Sequence, residues 1–312
     1  KANPTDAGRR ILTIGHRHRT QESITLAGGK GINVARSLRS LGVPVLATGF
    51  AGGRNGDAIR DGLSAAAIPF DLVEIEGSSR TSTAIVDPTS GAQTEINEYG
   101  PEVSAAEARE FSRRLEHLLE YATAVVFAGS LPPGMDESVL VELVRRSRER
   151  GLYPVVDSTP SVLRAALKAE PSLVKPNQHE AESVVGFDFI EEEDFPRALG
   201  RLVEMGAGDA CITSPEGHSH LTVGEGDVLS AVGPRVEALS TVGSGDAYLA
   251  GLLAGLLHRD YAPADAVKLA AGCAAANAET LGAGLFDARR AEELAAEVRV
   301  ESKERSLQSW LV

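Results

Sequence analysis

Short apolar runs alternate with amphipathic stretches through the middle and C-terminal parts of this chain. The apolar runs are brief and rich in β-branched or small residues, a pattern typical of buried strands: Ala124–Ala128, Tyr153–Asp157, Ser172–Lys175 and Ala210–Thr213. Apolar positions with helical spacing lie between and after them, at 136–149, 160–168, 194–205, 246–258, 262–280 and 287–297. This alternation predicts an α/β fold in which helices cover both faces of a parallel sheet.

A further helix is predicted to begin after Ser104. The run Ser104-Ala-Ala-Glu107 has the form of a capping box, in which the serine and glutamate side chains each bond the other residue's backbone N–H. Apolar residues at Phe111, Leu115 and Leu119 then follow on one helical face.

Two regions of the chain have a different pattern. Ile11–Ile14, Ser23–Leu26 and Thr83–Val86 are short, lie between turns, and are not each followed by a helix. We expect these runs to form a small accessory sheet that covers the functional site as a lid. The chain is therefore interpreted as one domain over residues 1–312, with lid segments at about 7–27 and 67–100.

Composition narrows the classes of function. The chain has 312 residues and is 43% hydrophobic, enough for a large core, and its net charge of −13 argues against nucleic-acid or anionic-membrane partners. No apolar stretch approaches the ~20 residues that span a bilayer, and no signal peptide is visible. The cysteines, Cys211 and Cys273, lie in apolar runs, which favours buried free thiols. We expect a cytoplasmic protein.

The sharpest chemical feature is the run Gly243-Ser244-Gly245-Asp246, which precedes a strongly apolar helical stretch. Loop glycines at the start of a helix leave backbone N–H groups unpaired at its positive end, where an anion binds well. An aspartate beside that end can accept a proton from an attacking hydroxyl while the N–H groups stabilise a transferring phosphoryl group. The alternative is a turn followed by a simple helix cap.

Two further runs have similar features. Gly28-Gly29-Lys30-Gly31 precedes another helical pattern, with Asn33 in its first turn, although the spacing is not that of a Walker A loop. Asn177 and Glu180 lie three residues apart at a predicted helix start, where they could share one face and hold a hydrated metal ion. Each run alone also fits an ordinary turn or helix cap.

Taken together, these runs resemble the PfkB (ribokinase-like) carbohydrate kinases over nearly the whole chain. Residues 28–35 resemble the family's N-terminal signature, and residues 242–251 resemble its C-terminal signature. Residues 93–101, 128–134 and 174–177 resemble the phosphohexose branch, which includes the 1-phosphofructokinases and tagatose-6-phosphate kinases, and Ser79-Arg80 resembles that branch's phosphate-binding pair. Ser82 departs from the branch, which usually has asparagine at this position.

The resemblance implies a ribokinase-like three-layer α/β/α sandwich with a small β-sheet lid, which often forms a dimer contact. It implies ATP and Mg²⁺ as cofactors and a sugar phosphate as the small-molecule partner. The implied catalytic residues are Asp246 as base, with the N–H groups of Gly243, Ser244 and Gly245 as an anion hole. The implied substrate-binding residues are Asp6, Gly28, Gly29, Lys30, Asn33 and Arg80. The implied nucleotide-binding residues are Lys175, Ser214, Gly217, Gly245 and Asn277, and Asn177 and Glu180 would organise the metal.

Several functions stay open at this point. The first is phosphorylation of a hexose monophosphate, with fructose 1-phosphate ahead of tagatose 6-phosphate and fructose 6-phosphate. The second is phosphorylation of a free sugar or nucleoside, because the Gly-Gly-Lys-Gly run is shared widely in the family. A third, from another class, is a catalytically dead sugar-phosphate sensor, which the retained Asp246 disfavours.

Overall fold

The computed structural model describes residues 15–20, 22–87, 92–224 and 227–303. Its helices are Lys30–Ser40 (α1), Gly53–Ala65 (α2), Ala105–Leu118 (α3), Glu137–Glu149 (α4), Pro160–Ala166 (α5), Gln178–Val185 (α6), Asp194–Glu204 (α7), Ser244–Leu253 (α8), Pro263–Ala278 (α9) and Ala288–Ala295 (α10). Its strands are Ala47–Ala51 (β1), Phe70–Glu74 (β2), Ser82–Val86 (β3), Gln93–Asn97 (β4), Ala124–Ala128 (β5), Tyr153–Asp157 (β6), Leu173–Val174 (β7), Asp209–Thr213 (β8), His218–Val223 (β9), Asp227–Val232 (β10) and Arg299–Lys303 (β11).

A seven-stranded sheet forms the centre of the molecule, in the order β11-β10-β9-β8-β7-β6-β5. The strands from β5 to β8 pair in parallel, as the alternation of strands and helices predicts. The strands β9, β10 and β11 extend the sheet in antiparallel pairs. The parallel half brings the carboxyl ends of its strands to one edge, which is where ligand sites form in open α/β sheets.

Helices cover both faces of this sheet. Alternate strand residues such as Val155, Leu173 and Cys211 pack into one hydrophobic core with α1, α8, α9 and α10. Their neighbours Val156 and Val174 face the opposite core, with α3 to α7. The burial of both faces explains why these strands read as continuous apolar runs. The predicted three-layer α/β/α sandwich is confirmed.

The lid regions are only partly as expected. β3 and β4 pair as a separate antiparallel two-stranded sheet, Ser82 opposite Asn97. The neighbouring strand Phe70–Glu74 instead pairs in parallel with β1, outside that hairpin. The expectation of a strand at Ser23–Leu26 was wrong, because residues 22–28 form no strand. Ile11–Ile14 lies outside the described residues.

Local signals in the sequence account for the element boundaries. The capping box at Ser104 and Glu107 is present, with the Glu107 carboxylate accepting from the Ser104 N–H at 2.7 Å. α8 runs into a π-helical turn, Ala254–His258, where Gly255 packs against α9. A Cβ at Gly255 would lie 2.7 Å from Ala266 Cα, so only glycine permits this close approach.

Within the described part of the chain, no helix has the length and apolarity needed to cross a membrane.

Candidate active site

A large cleft of about 2980 Å³ runs between the β3–β4 hairpin and the carboxyl edge of the central sheet. The core side of its wall includes residues that immediately follow or end parallel strands, namely Asp157 of β6, Lys175 after β7 and Thr213 of β8. The hairpin contributes the whole of β3. The cleft therefore lies where the topology of the parallel strands predicts a ligand site.

The start of α8 forms the floor of the cleft around Asp246. Gly243 has φ +80°, a left-handed conformation, and a Cβ there would lie 2.6 Å from the Ala283 Cβ. The Ser244 N–H donates to the Thr241 carbonyl at 3.1 Å. The N–H groups of Gly243, Gly245 and Asp246, in contrast, have no acceptor among the described residues. Three backbone donors at the positive end of a helix are thus available to an anion.

Asp246 is buried, at 6% exposure, in the first turn of α8. Its Oδ2 accepts a hydrogen bond from Nδ2 of Asn33 on α1, at 2.8 Å. Burial, reinforced by the nearby negative charge of Asp157, raises the pKa of Asp246 to about 6. Asp246 is therefore a carboxylate at neutral pH with an affinity for a proton well above that of an ordinary aspartate, as a general base requires.

Asp157 links two lysines beneath this base. Its Oδ1 lies 2.6 Å from Lys30 Nζ, and its Oδ2 lies 3.0 Å from Lys175 Nζ. Burial opposes ionisation of Asp157, but the charges of Lys175 and Lys30 outweigh burial and hold its pKa below the ordinary value. Lys30 also approaches Glu180 Oε1 at 3.4 Å. Asp157 therefore holds two ammonium groups at the cleft, one on Lys30 and one on the buried Lys175.

The predicted metal residues cap α6. Asn177 Oδ1 accepts from the Glu180 N–H at 2.9 Å, and Glu180 Oε2 accepts from the Asn177 N–H at 2.9 Å. The second carboxylate oxygen of Glu180 stays directed toward Lys30. Among the residues described, no cluster of three or more His, Cys, Asp and Glu side chains suits a metal ion. Asn177 and Glu180 therefore cap α6 and also line the cleft.

Asn277 supports the glycine loop from α9. It is fully buried, and its Nδ2 donates to the Val242 carbonyl at 2.9 Å and to Ser244 Oγ at 3.1 Å. Its Oδ1 accepts from the Gly284 N–H at 2.8 Å. All three contacts hold the glycine loop and the segment at Gly284 in place. Asn277 therefore has a structural role that does not depend on contact with a nucleotide.

The remaining predicted residues occupy different places. Gly28, Gly29 and Arg80 line the cleft, and Arg80 is exposed at the start of the hairpin. Ser214 and Gly217 form the turn that joins β8 to β9, next to Thr213 but not on the cleft wall itself. Asp6 lies outside the described residues.

The sequence alone missed part of the site. Asp157 ends a strand that was predicted correctly, and a carboxylate in that position of a parallel strand was a usable signal. Arg17 and Arg19 also line the cleft, although they lie outside any helix or strand. Their place could not be read from local pattern, because extended loop residues carry no periodicity that points them at a site.

A buried carboxylate beside free backbone donors and two ammonium groups, at the carboxyl edge of an α/β sheet, is an arrangement suited to phosphoryl transfer. The chain belongs to the pfkB family of carbohydrate kinases, whose family model matches residues 13–289. It is a sugar kinase, in a family whose phosphoryl donor is ATP.

Solved structures agree with this family. A Thermotoga maritima protein described as a possible 1-phosphofructokinase is 28% identical, with a TM-score of 0.86 and coverage of 94% of each chain. Phosphofructokinase-2 of Escherichia coli, in complex with substrates and products, is 26% identical, with a TM-score of 0.84 and coverage of 93% of this chain and 94% of that one. A tetrameric inhibited form of that enzyme has a TM-score of 0.82 at 26% identity, with 93% of each chain covered.

Proposed function

We propose that this kinase transfers the γ-phosphoryl group of ATP to a hydroxyl of a hexose monophosphate, with fructose 1-phosphate the first choice and fructose 1,6-bisphosphate the product. The observation that carries the proposal is Asp246, whose buried carboxylate lies beside the free N–H groups of the α8 N-terminus. Arg80 on the hairpin side supports a phosphorylated acceptor, because a planar guanidinium binds phosphate with two parallel hydrogen bonds.

In this mechanism Asp246 takes the proton of the attacking hydroxyl. Asn33 donates to one carboxylate oxygen and so orients the other toward the acceptor sugar. The free N–H groups of Gly243, Gly245 and Asp246 bind the equatorial oxygens of the transferring phosphoryl group, where negative charge accumulates. Lys30 and Lys175, held by Asp157, neutralise charge along the phosphate chain.

Magnesium fits this site as a hydrated ion. The helix cap of α6 uses Asn177 Oδ1 and one oxygen of Glu180, and the other Glu180 oxygen lies at the cleft, 3.4 Å from Lys30 Nζ. Mg²⁺ keeps several waters and is commonly bound through one or two carboxylates plus substrate phosphates. Glu180 would hold the ion and Asn177 would fix that carboxylate. The bound ion would supply neutralisation of the negative charge on the nucleotide's phosphates.

The hairpin is also the proposed dimer contact. Four of the five residues of β3 and four of the five of β4 are exposed, including Ile85 at 36% and Ile96 at 60%. A two-stranded sheet exposed on both faces is marginally stable in water, so a second copy covering its apolar residues would stabilise it. Sedimentation of the wild type against an Ile96→Glu variant tests this, and a monomeric wild type would reject it.

The decisive test of the phosphotransfer mechanism compares Asp246→Asn with Asp265→Asn. Asp265 is the third residue of α9, as Asp246 is of α8, but it is exposed and pairs with Lys268 at 2.9 Å. Loss of the base is expected to lower kcat about 10²- to 10⁴-fold, while ATP and sugar-phosphate binding persist and Asp265→Asn keeps wild-type turnover. Retention of more than about a tenth of kcat in Asp246→Asn would remove the base assignment.

A further inference from the structure

Arg36 on α1 is a buried cation that the mechanism above does not use. Its side chain is 7% exposed, lies at the cleft wall and is surrounded by neutral acceptors. Within the described ranges, no carboxylate lies within ion-pair distance of the Arg36 guanidinium. Burial lowers the pKa of Arg36 from its ordinary value, which still leaves the group charged. A buried charge without a carboxylate partner is costly, so its neutral contacts require an explanation.

The first contact reaches the catalytic base. Arg36 Nη1 donates to Asn33 Oδ1 at 3.4 Å, and Asn33 Nδ2 donates to Asp246 Oδ2 at 2.8 Å. A guanidinium can only donate, so it fixes the Asn33 amide with its oxygen toward Arg36. The amide NH₂ must then face Asp246. Arg36 thereby selects the one amide orientation in which Asn33 can bond the carboxylate.

The second contact reaches the anion-binding loop. The same Nη1 donates to the Ala283 carbonyl at 2.6 Å. Ala283 packs directly against Gly243, and the adjacent Gly284 N–H bonds Asn277, which in turn holds Val242. Arg36 therefore anchors the segment against which the start of α8 rests.

The third contact is a hydrogen bond from Arg36 Nη2 to the Ala27 carbonyl, just before the glycine loop of α1. One planar group thus joins the chain before α1, the Asn33 amide on α1 itself and the loop before α10, which is 247 positions away in the sequence. A lysine would retain the charge, but its single ammonium lacks the planar fork that spans these acceptors.

We propose that Arg36 is a positioning residue for phosphoryl transfer, which acts through Asn33 on the orientation of Asp246 and through Ala283 on the anion-binding loop. The inference rests on the proposed function, because it assigns a role toward the base of that same site. Arg36 is not proposed to contact the substrate. It sets the geometry in which other groups react.

The experiment compares Arg36→Ala and Arg36→Lys with Arg39→Ala, using ATP-Mg²⁺ and fructose 1-phosphate or, if turnover with it is undetectable, fructose 6-phosphate. Arg39 lies on the same helix, one turn away, and is exposed. We expect Arg36→Ala to lower kcat about 10²-fold, as small displacements of catalytic groups do, with a much smaller change in the KM for ATP. Arg36→Lys should be partly impaired and Arg39→Ala unimpaired.

Two readouts separate positioning from a merely structural role. Added guanidinium ion should restore the kcat of Arg36→Ala in a saturable way, yet leave Asp246→Asn inactive. The acidic limb of the kcat profile should also move to higher pH in Arg36→Ala, because the Asn33 hydrogen bond that lowers the pKa of Asp246 is loosened. Asn33→Ala should shift the limb equally, and the double variant no further.

Wild-type kcat in Arg36→Ala, or a loss of kcat with neither guanidinium rescue nor a shifted limb, would overturn the positioning role. If Arg36→Ala melts below the assay temperature, Arg36→Gln, which keeps an amide donor, is measured by the same criteria. Asp246→Asn distinguishes the two levels of failure. An active Asp246→Asn removes the proposed function, whereas an inactive Asp246→Asn beside an unaffected Arg36→Ala removes this inference alone.

Discussion

At the scale of single residues, the proposed base Asp246 is expected to set the pH range in which the enzyme works. Its pKa is raised to about 6 by burial and by the charge of Asp157, and only the ionised form can accept a proton. We expect kcat to fall as the pH drops through about 6, with an ordinary plateau above about 7. A kcat profile at saturating substrates measures this directly, and full activity at about pH 5 would contradict it.

The same carboxylate reduces stability. Because its folded pKa of about 6 exceeds the ordinary value of 3.8, protonation is favoured by folding, and wild-type stability is lost as the pH rises from about 4 through about 6. The gap corresponds to roughly 3 kcal/mol. Asp246→Asn, which is neutral at every pH, should unfold at higher denaturant concentration than the wild type at pH 8. The two midpoints should converge near pH 4; an equal difference at both pH values would exclude this origin.

At the scale of elements, the turn into α8 depends on a residue without a Cβ. Gly243 and Gly42 share a left-handed conformation, with φ +80° and +78°, but only at Gly243 would a Cβ meet a neighbour, Ala283, at 2.6 Å. Alanine in this conformation costs about 1–2 kcal/mol, and overpacking adds about 1–3 kcal/mol. Gly243→Ala should therefore be destabilised more than Gly42→Ala.

The two variants should also differ in activity. Displacement of the N–H groups at the start of α8 should lower the kcat of Gly243→Ala by one to two orders of magnitude, about what loss of a well-placed donor costs. Gly42→Ala lies at the end of α1 and should keep wild-type turnover. Urea denaturation and steady-state kinetics on the matched pair give both quantities, and equal losses in the two variants would argue against the role of the Ala283 contact.

Elements with an internal pattern could be predicted from sequence, and elements defined by a partner could not. β5 and β6 were predicted to the residue because each is an apolar run whose two faces pack against the two hydrophobic cores. β11 carries Arg299, Glu301 and Lys303, has no apolar pattern, and is a strand only because β10 pairs with it. Ser23–Leu26 has a strand-like composition, but no strand forms there, because none of the described strands pairs with it.

The features of the candidate site fall into the same two groups, those with a local sequence pattern and those that depend on a distant partner. The glycine runs and Asp246 were visible because backbone conformation and helix starts leave a local mark. The bonds from Asp157 to Lys30, and from Asn33 to Asp246, join residues 127 and 213 positions apart. Only the fold brings such pairs together, so their partnership could not be derived from spacing.

At the scale of the whole molecule, charge bears on the class of substrate. A protein of net charge −13 repels an anionic sugar at long range, so productive binding of a sugar phosphate needs a local cationic region. The cleft wall supplies one with Lys30, Arg80, Arg17 and Arg19. We expect a hexose monophosphate to be phosphorylated far better than the free hexose, because closure of the hairpin over it would strengthen charge-assisted contacts.

The measurement is kcat/KM at fixed ATP-Mg²⁺ for fructose 1-phosphate, tagatose 6-phosphate and fructose 6-phosphate against free fructose, tagatose and ribose. The Arg80→Ala variant is measured alongside the wild type. It should raise the KM for the preferred phosphate while leaving the KM for ATP nearly unchanged. A free sugar that surpasses every monophosphate would reject the phosphohexose assignment and leave the kinase assignment in place.

The bond between Asn33 and Asp246 has a consequence for biosynthesis. It joins the first helix of the sandwich to its eighth, and the loop beside Gly243 rests on Ala283, later still in the chain. Domains begin to fold during translation, from the N-terminus. A ribosome-bound chain can therefore assemble the parallel strands β5 to β8 while it still lacks its base, and turnover would begin only when synthesis has passed α9 and the loop behind it.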